Sequence, residues 1–235
     1  MMQTSMTQKM IAKGILVPHL ETESSKNIFK ELFSKVYVPE TVLLITAHHE
    51  ENERKFSIMK EGTLQFTGAK FDIDENISAC ILESFPWFRE NELVCTLEPS
   101  LKLLLQKLYK IQPKTKIVPM IIPVTSYEKY ISLGNTLSQV TLKNTGNTLL
   151  IAVAHLSHDL NEDIRHTQDK MILETLMTFD SEKIYQTITH KKIKTCSLAP
   201  LTTLIQALIS FGVSKFHHIE GSPQPLSHSH GLIFY

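Results

Sequence analysis

The sequence is short of glycine, with 8 in 235 residues, and neither GxGxxG nor GxxxxGK[ST] occurs in it. Loops that wrap backbone amides around a phosphate depend on such glycines, so a nucleotide-cradling role finds no support. Cysteine is scarce as well. Cys80, Cys95 and Cys196 are odd in number, widely spaced and without a CxxC pair, which argues against a disulfide framework or a zinc knuckle and makes a reduced cytoplasm the expected setting. Neither sign of charge is in excess, with 24 Lys+Arg against 24 Asp+Glu. That balance removes the electrostatic reason to expect nucleic acid or an anionic membrane as partner. Long apolar runs are missing too: the stretch 117–124 is far too short to span a bilayer and carries prolines. The first ten residues are polar and hold no apolar signal core, so export is not expected. What remains is an ordinary globular composition, 42% hydrophobic and 20% charged. Its length suits one sizeable core, and no repeat, low-complexity tract or linker divides it, so residues 1–235 are expected to form one domain.

Apolar stretches of strand length alternate with helical patterns, the mark of an α/β sheet flanked by helices. Residues 14–17 read as a short strand ending at Pro18. Ile28, Phe29, Leu32, Phe33 and Val36 then recur at helical spacing. Residues 41–46 (TVLLIT) read as a buried strand. The polar stretch 51–72, punctuated by Gly62 and Gly68, reads as a hairpin or irregular excursion, and 77–85 as a helix closed by Pro86. Residues 93–97 are expected to be extended, followed by a leucine-rich helix from about 99 to 109 with Pro99 in its first turn. Strands are expected over 116–122 and 148–154, helices near 167–178, 182–190 and 198–211, and closing strands over 215–219 and 232–235.

Histidine is what the sequence has in quantity: 11 residues, eight of them in the close pairs His48/His49, His155/His158, His217/His218 and His228/His230. Their positions carry the argument. His19 follows the first strand, His48 and His49 the second, and His155 and His158 the 148–154 strand. Ligands of open α/β sheets sit beyond the carboxyl ends of the strands. Three strands therefore deliver imidazoles to one edge, provided that they are parallel and adjacent. Taken singly, each histidine reads as a hydrogen-bonded loop residue; taken together, they read as a joint site for metal binding or proton transfer. Adjacent residues leaving a strand point in opposite directions, so His49 is not expected to be a primary ligand beside His48. Cys196 stands just before an apolar helical stripe with Pro200 in its first turn. A thiol there either feels the positive end of the helix dipole and ionises, or fills space as a small hydrophobe.

Several segments in order resemble the Memo family, which includes the AmmeMemoRadiSam system protein B proteins. They are Ile15-Leu16-Val17-Pro18-His19, Leu43-Leu44-Ile45-Thr46-Ala47-His48-His49, Phe66-Thr67-Gly68 through Phe71-Asp72-Ile73-Asp74, Lys116-Ile117-Val118-Pro119, Ala154-His155-Leu156-Ser157-His158, Asp169 with Ile172, Leu176 and Asp180, and Thr195-Cys196 with Pro200. More distantly the chain is similar to the LigB-type class III extradiol dioxygenases. The resemblance implies the α/β fold of those proteins and a single divalent transition metal held by His19, His48 and Cys196. It also implies His158 as acid/base, with His49, His155, Asp169 and His230 as possible supporting residues. Imidazole with thiolate suits iron, copper or zinc. Departures from the family pattern are Leu20-Glu21 after the first histidine, His155 in place of an aspartate, Cys95 in place of a histidine, and Ser197 in place of the glycine after the metal-binding cysteine. The implied function is a cytoplasmic mononuclear metalloenzyme of oxidoreductase type acting on a small molecule. Two alternatives stand beside it. An Fe(II) extradiol ring-cleavage enzyme would need a carboxylate to complete its ligands, with Glu220 the one late candidate. A metal- or partner-binding scaffold would have kept the fold without the chemistry.

Overall fold

The computed structural model describes residues 9–49, 55–143, 147–222 and 229–235; His228 lies outside them. In chain order the elements are β1 (Gly14–Val17), α1 (Glu23–Lys35), β2 (Thr41–Ala47), β3 (Phe56–Ile58), β4 (Thr63–Phe66), β5 (Ala69–Asp72), α2 (Glu75–Ser84), β6 (Phe88–Glu90), α3 (Glu92–Leu97) and α4 (Pro99–Tyr109). They continue with β7 (Lys116–Ile122), α5 (Tyr127–Lys143), β8 (Thr148–Val153), α6 (Glu162–Leu176), α7 (Ser181–His190), α8 (Leu198–Ser210), β9 (Phe216–Glu220) and β10 (His230–Phe234). The main sheet has the order β6-β3-β7-β2-β8-β1-β10-β9, and β4 and β5 form a separate hairpin. The expected α/β architecture is therefore present.

At the centre, β7, β2, β8 and β1 run parallel. Every residue of β2 is buried, because helices cover both faces and the strand reads as an unbroken apolar run rather than an alternating one. Alternation decides which face each side chain serves. Leu43 and Ile45 pack with the face covered by α2, α5, α6, α7 and α8. Val42 and Leu44 pack with the face covered by α1, α3, α4 and the hairpin. The register then sets the site. Val17 pairs with Val153 and Thr46 pairs with Val153, so these three residues lie level across adjacent strands, and His19, His155 and His48 each follow two residues later.

Two expectations change. Residues 92–97 are the helix α3 instead of an extended stretch. Asn91 caps it by accepting from the Val94 N–H, and one turn is enough to turn Cys95 inward. The longest helix, α5, is absent from the elements expected from the sequence. Its apolar face is spread over Tyr130, Leu133, Leu137 and Val140 and diluted by buried Gly134, Thr136, Ser138 and Thr141. The excursion at 51–72 resolves, within its described part, into β3, which joins the main sheet, and the β4–β5 hairpin.

Gly134 lets α5 lie directly on α8. A Cβ there would stand 2.6 Å from Gln206 Cβ and 2.8 Å from the Thr203 carbonyl oxygen. In an open helix Gly→Ala is stabilising by roughly 1 kcal/mol. Here the sign reverses: Gly134→Ala is expected to destabilise by about 1–3 kcal/mol through overpacking, measured as a lower urea midpoint at unchanged slope.

Candidate metal centre

His19 and His155 leave the adjacent parallel strands β1 and β8, and the Ala154 N–H donates to the Val17 carbonyl at 3.0 Å to hold the two exits together. Cys196 comes from a different part of the chain, the loop before α8. That loop is tied to the end of β8 twice: Thr195 Oγ1 donates to the His155 carbonyl at 2.9 Å, and the His158 N–H donates to the Lys194 carbonyl at 2.8 Å. The ties deliver the sulfur to the imidazoles. Cys196 Sγ accepts the His155 backbone N–H at 3.2 Å and lies 3.7 Å from His19 Nε2. One ligand atom from each of His19, His155 and Cys196 falls within 4.8 Å of the other two, and these three form the one such group of histidine, cysteine and acid among the described residues.

His48 stands outside that group. Its backbone N–H donates to the Ile122 carbonyl at 3.1 Å, so β2 stays bonded to β7 one residue beyond its end. Both His48 ring nitrogens are buried without a hydrogen-bond partner. His49 turns to the cavity, with its ring centroid 5.0 Å from that of His19. His49 Nδ1 lies 2.8 Å from Glu98 Oε1, which leaves Nε2 for Cys196. Glu98 is buried and also accepts from Ser100 Oγ at 2.8 Å and from the Ser100 N–H at 3.2 Å. Ser100 Oγ in turn lies 2.8 Å from Thr46 Oγ1. Glu98 escaped the sequence reading; its one local signal is a carboxylate standing before Pro99 at the start of α4.

Burial opposes charge on the Cys196 sulfur, but hydrogen bonds from His155, His158, His19 and His49 outweigh it and hold the thiol well below its ordinary range. The hydrogen bonds to Cys196 and then Glu98 push His49 up to about 10 against the cost of its burial. His158 is raised by its hydrogen bond to Cys196. Burial would raise Glu98, yet the hydrogen bond from His49 and those from Ser100 keep it below the usual carboxylate range. Cys95, in contrast, sits in an apolar interior that pushes its thiol up to about 12, as befits a space-filling cysteine.

The cluster opens on a cavity of about 380 Å³ whose wall includes His19, His49, His155, His158, Ser157 and Arg165. Asp169 and His230 lie behind this wall. Asp169 Oδ1 accepts from Ser157 Oγ at 2.7 Å, Asp169 Oδ2 lies 3.2 Å from His230 Nε2, and His230 Nδ1 lies 3.0 Å from His218 Nε2. His217 is exposed on the same strand. Glu220 is an exposed β9 residue and does not join the donor group.

Fold and site together define an α/β protein with a histidine–cysteine donor cluster at the carboxyl edge of a parallel sheet. The chain belongs to the Memo family: residues 1–223 match the Memo-like protein family. It is 23% identical over 207 residues to a MEMO1 family protein of Nitrosopumilus maritimus, covering 86% of this chain and 74% of that one. It is 22% identical over 209 residues to a MEMO1 family protein of Aquifex aeolicus, covering 88% and 77%. An uncharacterized protein of Escherichia coli K12 shares the fold at a TM-score of 0.68 and 12% identity, over 94% of this chain and 98% of that one. No helix among the described residues is long and apolar enough to cross a membrane.

The coupling of His49 to Cys196 and Glu98 has a measurable sign. In metal-free protein, NMR titration is expected to find His49 protonated up to about 10. Cys196→Ser is expected to lower that value more than Glu98→Gln does, since the sulfur is the larger cause. A raised histidine contributes stability that is full below its unfolded pKa of about 6.5. This contribution then falls as pH rises through about 10. The wild-type stability excess over Glu98→Gln is therefore expected to shrink across that window.

Proposed function

We propose that this Memo-family chain is a mononuclear metal protein, with His19, His155 and Cys196 holding one divalent transition metal and the adjoining cavity admitting a small organic molecule. The observation that carries this reading is the placement of the Cys196 sulfur beside His19 and His155, whose ligand atoms lie within 4.8 Å of it and of each other. The donor chemistry fits a metal. A thiolate with two imidazoles is a ligand set that iron, copper or zinc accepts, and three protein donors leave a position open for substrate or water. A metal so bound polarises a coordinated group and lowers its pKa.

The chain's own residues supply the rest. Glu98 fixes the His49 ring through Nδ1, as carboxylates commonly orient imidazoles next to metals. His158 lines the cavity beside His155, with ring centroids 5.2 Å apart, where its imidazole can hold or accept a proton from a bound hydroxyl. Chemistry of oxidoreductase type agrees with the family resemblance. A two-histidine, one-carboxylate dioxygenase centre is disfavoured by the exposed position of Glu220. A second ligand reading rests on His48, whose buried, unpartnered ring nitrogens ask for a partner that a metal could be.

Metal analysis of single variants tests the centre. His19→Ala, His155→Ala and Cys196→Ala are each expected to lose stoichiometric metal while keeping the wild-type circular dichroism spectrum, and His48→Ala to keep its metal. If His155→Ala stays loaded and His48→Ala empties, His48 is the ligand. Full loading of Cys196→Ala would overturn the centre as a whole. His158→Gln is expected to retain metal and, once a substrate is in hand, to lower turnover by roughly a hundredfold, the usual scale of general acid–base help.

A further inference from the structure

Arg165 on α6 has no ion-pair partner among the described residues. Its residue is 3% exposed, and it lines the same cavity as His155 and His158. Nη1 donates to the Asp159 carbonyl at 3.0 Å. Nε is buried and has no hydrogen-bond partner. Among the described residues the guanidinium forms no ion pair, and Nη2 makes no hydrogen bond to protein. Asp169, one turn further along α6, is engaged by Ser157 and His230. A guanidinium withdrawn from water without a counter-ion is costly, by several kcal/mol before relaxation, and such a group persists where a ligand supplies the missing charge. We propose that the cavity binds a small molecule through a carboxylate, with Arg165 as its counter-ion. This places a recognition group for the substrate beside the metal centre, and it rests on the metal-centre reading only for the identification of that molecule as substrate.

The charge of the wall selects a carboxylate over a phosphate. Arg165 is the one lysine or arginine among the described residues that line the cavity, while Glu21 and Asp159 stand on the same wall. Neither acid forms an ion pair with Arg165, and together they oppose a dianion more than a monoanion, so a phosphate would lack the second cation it needs. The planar fork of a guanidinium also matches the two oxygens of a carboxylate. Backbone ties hold the residue in place: the Ser157 hydroxyl donates to the Arg165 carbonyl at 3.3 Å, and the Arg165 N–H donates to the Asn161 carbonyl at 2.9 Å.

The experiment titrates the full-length chain, stripped of metal by chelator so that no carboxylate can bind through a metal. The probes are benzoate, its neutral counterpart benzamide, and inorganic phosphate, and binding is read by calorimetry. Benzoate is expected to bind wild type more tightly than benzamide or phosphate, and to lose about tenfold or more in Arg165→Met, the scale of one charge-assisted hydrogen bond. Arg165→Lys, which keeps the charge and loses the fork, is expected to fall between them, and it carries the test if Arg165→Met does not fold. Benzamide is expected to be indifferent to both substitutions. The proposal is overturned if benzoate does not bind, if its affinity survives both substitutions, or if phosphate binds more tightly than benzoate. Metal content of the reloaded samples separates the two readings. A chain that takes no metal yet binds benzoate through Arg165 overturns the metal centre alone. A metal-loaded chain indifferent to Arg165 overturns the carboxylate site alone.

Discussion

A sulfur placed in a protein interior normally stays a neutral thiol, as Cys95 does with its pKa pushed up to about 12. Cys196 is half-buried, and its neighbours are imidazoles from two strand ends and two adjacent loop positions, whose hydrogen bonds outweigh the effect of burial. Much of the local structure follows from keeping that sulfur in place. The Thr195 hydroxyl on the His155 carbonyl and the His158 amide on the Lys194 carbonyl hold the loop before α8 against the end of β8. The hydrogen bond to the same sulfur is the largest cause that raises both His49 and His158 on the cavity wall.

The sheet supplies what the sulfur cannot. Four parallel central strands end at one edge, and the register of β1, β8 and β2 sets three histidines at equivalent steps beyond it. A parallel sheet of this kind is stable only when both faces are covered. The two sets of helices that cover it therefore also bring the ends of α4 and α6 to the site: Glu98 caps α4 beneath His49, and Asp169 and Arg165 stand on α6. Supporting residues arrive with the packing of the core.

Two departures from the family pattern, Glu21 and His155, stand on the wall of this cavity. His155 stands where the resembling segment has an aspartate, and its ring lies 4.6 Å, centroid to centroid, from that of His19. Exchange of an acid for an imidazole removes a negative charge from the wall and adds a donor of the kind that softer metals prefer. Arg165 is a buried cation on the same wall.

Most strand and helix patterning was legible in the chain itself, because a buried parallel strand is an apolar run and a surface helix a periodic stripe, while the order of the strands in the sheet was not. The exits of His19, His48, His49 and His155 at strand ends could be read in the same way, as could a cysteine at the start of a helix. Short or diluted elements were not: α3 spans six residues, and the inner face of α5 carries Gly134 and three hydroxyl residues, so neither has the periodic signal that marks the other helices. Which histidines meet the sulfur was decided only in three dimensions. His48 and His155 stand at the same step beyond their strands, yet the bond from the His48 N–H to the Ile122 carbonyl holds His48 to β7, while the loop ties at β8 bring His155 to Cys196. Spacing along a chain specifies the height at which a side chain leaves a sheet. The direction it takes there depends on neighbours remote in the chain, such as Ile122 for His48 and Cys196 for His155, and for Glu98 and the His230–Asp169 pair the partners meet only in the folded state.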